Sequence, residues 1–319
     1  MDYKMCGRFR HLRLFYPDES GKSSYSDFHN NGNIKNYCPS QNCNTDLDKI
    51  NAACLWLIEQ TIVNRINDLN SEKYKVFVIY IMIWLSHMLK LKKFNNINYL
   101  KDFYTNNIEN NAHYTSCKKN DNDCSNSLKN KTGYNNFKEF IEENECFMSI
   151  NIEEMSKFYD AFKLLCEMYD KANINESNCR ENLENGKNFV EKYKELNEDS
   201  SITKNSSCNQ ILTTLSTDYN NFKTQCNKVG YNDFPSLQEK TTTQYSVEIS
   251  EGNPVKKSED HSGQNSEATS SSLPIANKLI PILSIFAAIP IFLGISYKYS
   301  LFGFRKRSQK QQLREKLKK

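Results

Sequence analysis

Apolar residues recur at three- and four-residue spacing through most of the first 230 positions, the pattern of helices that each bury one face. From Thr45 onward, Leu47, Ile50, Cys54, Leu57, Ile58, Ile62, Ile66 and Leu69 keep that spacing. Asp48 follows Thr45 by three residues, which predicts a capping box at the start of this helix. The next segment, EKYKVFVIYIMIWLSHMLKLKK, is apolar on every side over the 14 uncharged residues from Val76 to Leu89. Fourteen falls short of the roughly 20 that a bilayer span requires, so this segment is expected to be the central core helix rather than a second span. Further helices are expected at NINYLKDFYTNNIEN, NNFKEFIEENECFM, IEEMSKFYDAFKLLCEMYDKA, NCRENLENGKNFVEKYKEL and CNQILTTLSTDYNNFKTQC. In the third of these, Ile152, Met155, Phe158, Tyr159, Phe162, Leu165, Cys166 and Tyr169 trace one stripe. No set of strands is expected.

Between the helices run Asn-rich connectors, the longest being NNIENNAHYTSCKKNDNDCSNSLKNKTGYNN. Asparagine favours turns, so this stretch is expected to be an exposed loop around Cys117 and Cys124, where binding residues tend to lie. The fold class is therefore all-α: a cysteine-containing helical body over residues 1–234, large enough for one core. Residues 235–272 are polar and aperiodic, as in a flexible stalk.

The chain closes on a different pattern. From Leu279 to Tyr297 run 19 residues without a charge, and a helix of that length reaches roughly 28 Å, one hydrocarbon thickness. Pro281 and Pro290 fall inside it and are tolerated in membrane helices, where neighbouring groups re-satisfy the freed carbonyls. A single C-terminal transmembrane helix over 279–297 is expected. Residues 298–319 hold nine basic residues, among them Lys298, Arg305, Lys306, Arg307 and Lys310, against one acid, Glu315. The formal net charge of +4 thus hides a tail of +8 and a remainder of −4. Positive residues beside a span stay in the cytosol, so the short basic tail is expected inside and the large body outside. Contact of the tail with anionic lipid is a partner expectation; nucleic acid is not, because a basic run just past a span already has an explanation. The N-terminal MDYKMCGRFRHLRLFYPDES carries no apolar run of signal-peptide length.

All 11 cysteines precede residue 230, as expected of a body on the oxidising side of a membrane. Cys6, Cys38, Cys43, Cys117, Cys124, Cys146, Cys179, Cys208 and Cys226 are the disulfide candidates, with connectivity left open. Cys54 and Cys166 lie on apolar stripes, where a buried thiol is as consistent as a disulfide. An odd count leaves at least one thiol free or paired to another chain. No C-x2-C pair is present and the five histidines are scattered, so no metal or cofactor is expected.

A search for catalytic patterns finds no HExxH, GxSxG or GxGxxG. GKSS at Gly21–Ser24 lacks both the first glycine and the preceding strand of a phosphate loop. His87, inside the apolar helix, is expected to be a core histidine bonded to a neighbour. Asn130, Asn175 and Asn205 begin N-x-S/T sequons. An enzyme is not expected.

The segments NYCPSQNCNTDLDKINAACLWL, YIMIWLSHML, MSKFYDAFKLLCEMYDKANINESNC, NQILTTLSTDYNNFK and SYKYSLFGFRKRSQKQQLREKLKK resemble the PIR proteins, the Plasmodium interspersed repeat antigens of malaria parasites. The likeness covers nearly the whole chain apart from the stalk, and its most specific part is the C-terminal block. It implies a variant surface or exported antigen of the infected red cell, non-catalytic, serving host interaction and immune evasion, with a host-cell surface protein or an antibody as partner. Members commonly reach infected-cell membranes without a signal peptide. The export pentamer R-x-L-x-E/Q/D begins at Arg10 but is broken at Leu14, and His87 stands where an aromatic residue is expected. The alternative is an internal protein that organises vacuolar or vesicle membranes and binds cargo, using the basic tail on anionic lipid.

Overall fold

The computed structural model describes residues 1–30, 33–94, 96–204 and 206–237. The stalk beyond residue 237, the span with Leu279, Pro281, Pro290 and Tyr297, and the tail with Lys298, Arg305, Lys306, Arg307 and Lys310 lie outside the described residues, as do Asn205 and the side chains of Cys146 and Cys208.

Within the described residues the helices are α1 (Tyr3–Phe15), α2 (Asp46–Thr61), α3 (Ser71–Leu91), α4 (Leu100–Phe103), α5 (Ala112–Thr115), α6 (Ser125–Thr132), α7 (Phe137–Glu143), α8 (Ile152–Ser156), α9 (Tyr159–Met168), α10 (Glu176–Glu181), α11 (Leu183–Glu198), α12 (Ser200–Thr203) and α13 (Ser206–Lys228). One antiparallel hairpin joins β1 (Lys118–Lys119) to β2 (Asn122–Asp123).

α3 is the central helix. Every residue from Phe77 to Leu89 is buried except the half-buried His87, and α2, α8 and α9 pack around it. By length and composition α3 alone among the described helices would pass as a bilayer span, yet most of it is buried inside the protein. A helix apolar all round needs partners on all sides, and here protein supplies them.

α2 opens with the expected capping box. The Thr45 hydroxyl accepts from the Asp48 N–H at 3.1 Å, and the Thr45 N–H donates to Asp48 at 3.0 Å. The helix stops at Thr61, sooner than the apolar series suggested. A 3₁₀ segment, Val63–Asp68, then keeps Ile62, Ile66 and Leu69 buried, so the series continues to mark the inner face. The stripe from Ile152 to Tyr169 likewise divides into α8 and α9. At the junction Lys157 and Phe158 donate to carbonyls three residues back, a 3₁₀ tightening that leaves the stripe inward.

α1 is an addition to the expected set. Met5, Cys6, Phe9, Leu12 and Phe15 form its buried face, and Asp2 caps it by accepting from the Met5 N–H at 2.9 Å. Arg65 holds Asp2 through two guanidinium contacts of 3.0 and 2.6 Å. Burial acts to raise the Asp2 carboxyl, but the bonds from Arg65 and Met5 outweigh it, and the group lies below the usual carboxylate range. Phe9 meets Phe162 edge-on at 4.8 Å, and Tyr80 stacks on Phe162 at 4.8 Å, so α1, α3 and α9 converge on one ring.

Two disulfides of long span brace this core: Cys6–Cys166 joins α1 to α9, and Cys179–Cys226 joins α10 to α13. The Cys166 alternative is thereby resolved as a disulfide. Cys54 is free and buried, and burial pushes its thiol up to about 12, which keeps it protonated and unreactive. Asp218 is also buried; its carboxylate accepts from the Tyr80 hydroxyl and the Met1 ammonium, both at 2.6 Å. After α13 the chain folds back. Phe234 packs over Gly186 of α11, and the Tyr219 hydroxyl donates to the Pro235 carbonyl at 2.7 Å.

Candidate functional site

The Asn-rich connector expected to be loop is only partly so. α5 and α6 form within it because Tyr114, Leu128 and Thr132 are buried and anchor the flanks. Between them the Cys117–Cys124 disulfide closes the β1–β2 hairpin, whose turn places Asn120 and Asp121 at φ 50° and 62°. Asn and Asp tolerate this left-handed region better than most residues, which is why they tip such hairpins. The hairpin's Lys118, Asn120, Asp121, Asn122 and Asp123 are exposed.

A second small disulfide, Cys38–Cys43, closes the turn around Pro39–Gln41, where Ser40 and Gln41 also have positive φ of 50° and 61°. The 3₁₀ segment Ile34–Tyr37 leads into it and packs on α2. The two disulfide loops are neighbours. Tyr37, beside the first, meets His113, beside the second, edge-on at 5.1 Å.

Under that ring pair lies a cavity of about 430 Å³. Its floor is apolar, from Leu55 and Ile58 of α2 and from Ile62 just after it, and its mouth is polar, from Asn36, Asn120, Asp121 and Lys118. Glu59, also on α2, lines it. Burial, then the charge and hydrogen bond of Glu59, push the Tyr37 hydroxyl above its ordinary value. Glu59 Oε2 is buried and has no hydrogen-bond partner among the described residues. Burial and the nearby Lys118 push the His113 imidazole down, so it is neutral at pH 7.

A different surface lies at the C-terminal end of α3. Two adjoining cavities of about 520 and 720 Å³ share Lys90, Lys93 and Lys157 as walls. Lys157 is bound to Asp199 at 2.7 Å, and Glu153, Glu154, Asp160 and Glu195 balance the remaining lysines, so the surface carries no strong field of either sign. His87 closes the inner end of the smaller cavity. Its Nε2 lies 2.7 Å from the Asp18 carbonyl and its ring stacks on Tyr159 at 3.8 Å. Buried Asp18 in turn accepts from the Tyr159 hydroxyl and stands 3.6 Å from Arg13. His87 is thus bonded into the packing between α3, α9 and the loop after α1.

GKSS at Gly21–Ser24 forms an exposed turn after α1. Asn130 and Asn175 are exposed, Asn175 serving as the cap of α10. No group of three His, Cys, Asp or Glu among the described residues is placed to hold a metal ion.

A family profile, described as Plasmodium variant antigen protein Cir/Yir/Bir, matches residues 6–298. The chain belongs to this family. A solved structure described as that of a Plasmodium PIR protein ectodomain is 28% identical, with a TM-score of 0.50, over 74% of this chain and 98% of that one. No curated protein matches. The helical, disulfide-bonded body thus has the architecture of a PIR ectodomain. The family is one of variant antigens without a known catalytic role, and it points to a surface or exported location. In this PIR chain the cavity between the disulfide loops escaped sequence reasoning. Glu59 stands beside Ile58 but outside the apolar series of α2, and only the fold brings Tyr37 and His113 into one cavity with it.

Proposed function

We propose that this PIR chain is a membrane-anchored variant antigen that works by binding, not catalysis, in host interaction and immune evasion. Residues 279–297 cross the membrane once, the basic tail 298–319 stays in the cytosol near anionic lipid, and the stalk holds the helical body on the other side. The stalk starts only after residues 235–237, which pack on the body, and runs up to residue 272. The observation that carries the reading is the family match over residues 6–298, which takes in both the disulfide-bearing body and the apolar segment near the end. Disulfides fit a body facing an oxidising compartment. The binding surface is the one at the two small disulfide loops, where exposed polar residues are held rigidly on a helical scaffold, and the partner is a host-cell surface protein or an antibody.

Protease treatment of intact infected cells tests this. The expected result is cleavage of the body, with a membrane-bound fragment carrying the tail left behind. Protection of the body in every membrane compartment would overturn the proposal.

A further inference from the structure

Five polar side chains converge on the mouth of the cavity between the two disulfide loops without bonding to one another. Asn33, Asn36, Lys118, Asn120 and Asp121 all line it and are exposed, and none of these side chains makes a hydrogen bond or ion pair among the described residues. They belong to two separate stretches of chain. The first two lead into the Cys38–Cys43 loop on a 3₁₀ segment packed against α2, and the other three lie inside the Cys117–Cys124 loop, where Asn120 and Asp121 hold φ of 50° and 62°. Crosslinked loops keep such a set in place before a ligand arrives, which lowers the entropy lost on binding.

The chemistry of the set selects the guest. Each of the three amides offers a donor and an acceptor in one plane, and the carboxylate offers two acceptors. Lys118 and Asp121 cancel in charge, so the mouth favours an uncharged ligand. Beneath it the floor of Leu55 and Ile58 is apolar, and the exposed His113 ring stands at its border. Glu59 Oε2 is buried and takes no part. A compact molecule with hydroxyls around its rim, each able to donate and accept, and with an apolar C–H face for the floor matches this arrangement. Such a molecule is a pyranose sugar. A peptide matches less well, because β1 and β2 are two residues long and give no edge for an added strand. At about 430 Å³ the cavity falls in the range of small-molecule sites, roughly 300–1,000 Å³. Resting on the display reading above, we infer that this cavity binds a neutral pyranose carried by a glycosylated host-cell surface protein, with Asn33, Asn36, Asn120 and Asp121 bonding its hydroxyls.

The test uses the full-length chain in micelles of a detergent without a sugar headgroup and titrates the neutral methyl glycosides of glucose, galactose, mannose, N-acetylglucosamine and N-acetylgalactosamine. The expected result is saturable binding of at least one of them. Asn36→Ala and Asp121→Gly should each weaken that glycoside roughly tenfold with an unchanged unfolding midpoint, because each removes a group that bonds a hydroxyl. Both residues are exposed, and glycine accepts the positive φ at position 121, so neither change disturbs the fold. No saturation by any neutral glycoside overturns the inference, as does undiminished binding in either variant. Saturation only by N-acetylneuraminic or glucuronic acid, or only by acetyl amino-acid amides, overturns it too, since the cavity would then be an acidic-sugar or a peptide site. Failure here leaves the protease result on intact cells untouched, and protection of the body from protease leaves the glycoside titration untouched, so the two readings fall separately.

Discussion

Cys6 and Cys166 stand 160 residues apart in the chain and tie α1 to α9, whereas Cys38–Cys43 and Cys117–Cys124 close loops of five and seven residues at the protein's rim. The first kind of crosslink lies in a core of stacked and edge-on rings around α3, and Cys179–Cys226, at a separation of 47, belongs with it. The second kind lies among polar residues, four of them at positive φ, around a cavity. Chain entropy treats the two differently: in the loop-closure picture a 160-residue crosslink stabilises by about 5 kcal/mol and a five-residue one by about 2 kcal/mol. The long disulfides hold the body together. The short ones freeze the shape of a surface, which is what a recognition surface requires of its loops.

The largest expected effect tests that division directly. Cys6→Ala with Cys166→Ala should cost about 5 kcal/mol in denaturant unfolding, and Cys38→Ala with Cys43→Ala about 2 kcal/mol or less. In hydrogen exchange the short-loop pair should lose protection only around residues 33–44, while the long pair should lose it across α1 and α9. A short-loop pair that unfolds the whole body would break the comparison.

Within the core, Gly186 gives a sharper and smaller effect. Its place on α11 faces the Phe234 ring so closely that an added Cβ would collide with it. Gly186→Ala should therefore displace Phe234 and loosen residues 229–237 from α11 and α13, at a cost of about 1–3 kcal/mol in urea unfolding. Phe234→Leu should relieve part of that cost in the double variant. Additive costs in the double variant would show that the two positions do not meet.

The same division decides what the sequence could reveal. The core was legible because burial imposes a period. The stripes from Ile50 to Leu69 and from Ile152 to Tyr169 mark the inner faces even where 3₁₀ turns interrupt the helices. Thr45 and Asp48 announce their capping box by spacing alone. α1 is not legible because Arg8, Arg10 and Arg13 interrupt its apolar positions. α5 and α6 escaped because an Asn-rich composition reads as loop, while the burial of Tyr114 and Leu128 that makes them helical is a tertiary effect. The rim was not legible for a plain reason: Tyr37, Glu59 and His113 are 22 and 54 residues apart along the chain and belong to no common period. Disulfide partners are likewise a property of the folded chain, and nothing in the spacing of Cys6 and Cys166 pairs them.

Acid offers the gentlest probe, because each region carries one histidine shifted in the same direction. Burial lowers His87 from its ordinary 6.5 despite the opposing Asp18 carbonyl and the charges of Asp18 and Asp160, with Lys163 adding to the shift; burial and Lys118 lower His113. Each is neutral in the folded protein where the unfolded chain would already bind a proton. The stability they contribute is therefore complete above about pH 6.5 and is lost as the pH falls from there toward the folded value. Glu19 acts in a separate window. Its bonds to Lys163 and Lys22 hold it at about 2, so its contribution is present above its ordinary 4.5 and is lost only in stronger acid. Between pH 7.5 and 5.5 the unfolding free energy should fall, and His87→Gln, which keeps a donor for the Asp18 carbonyl, should flatten the slope more than His113→Gln, since His87 is the more buried of the two. Equal slopes in the wild type and in His87→Gln would mean that the stacked imidazole on Tyr159 is not a proton-linked part of the core, and a larger effect from His113 would place the pH-sensitive contact at the rim instead.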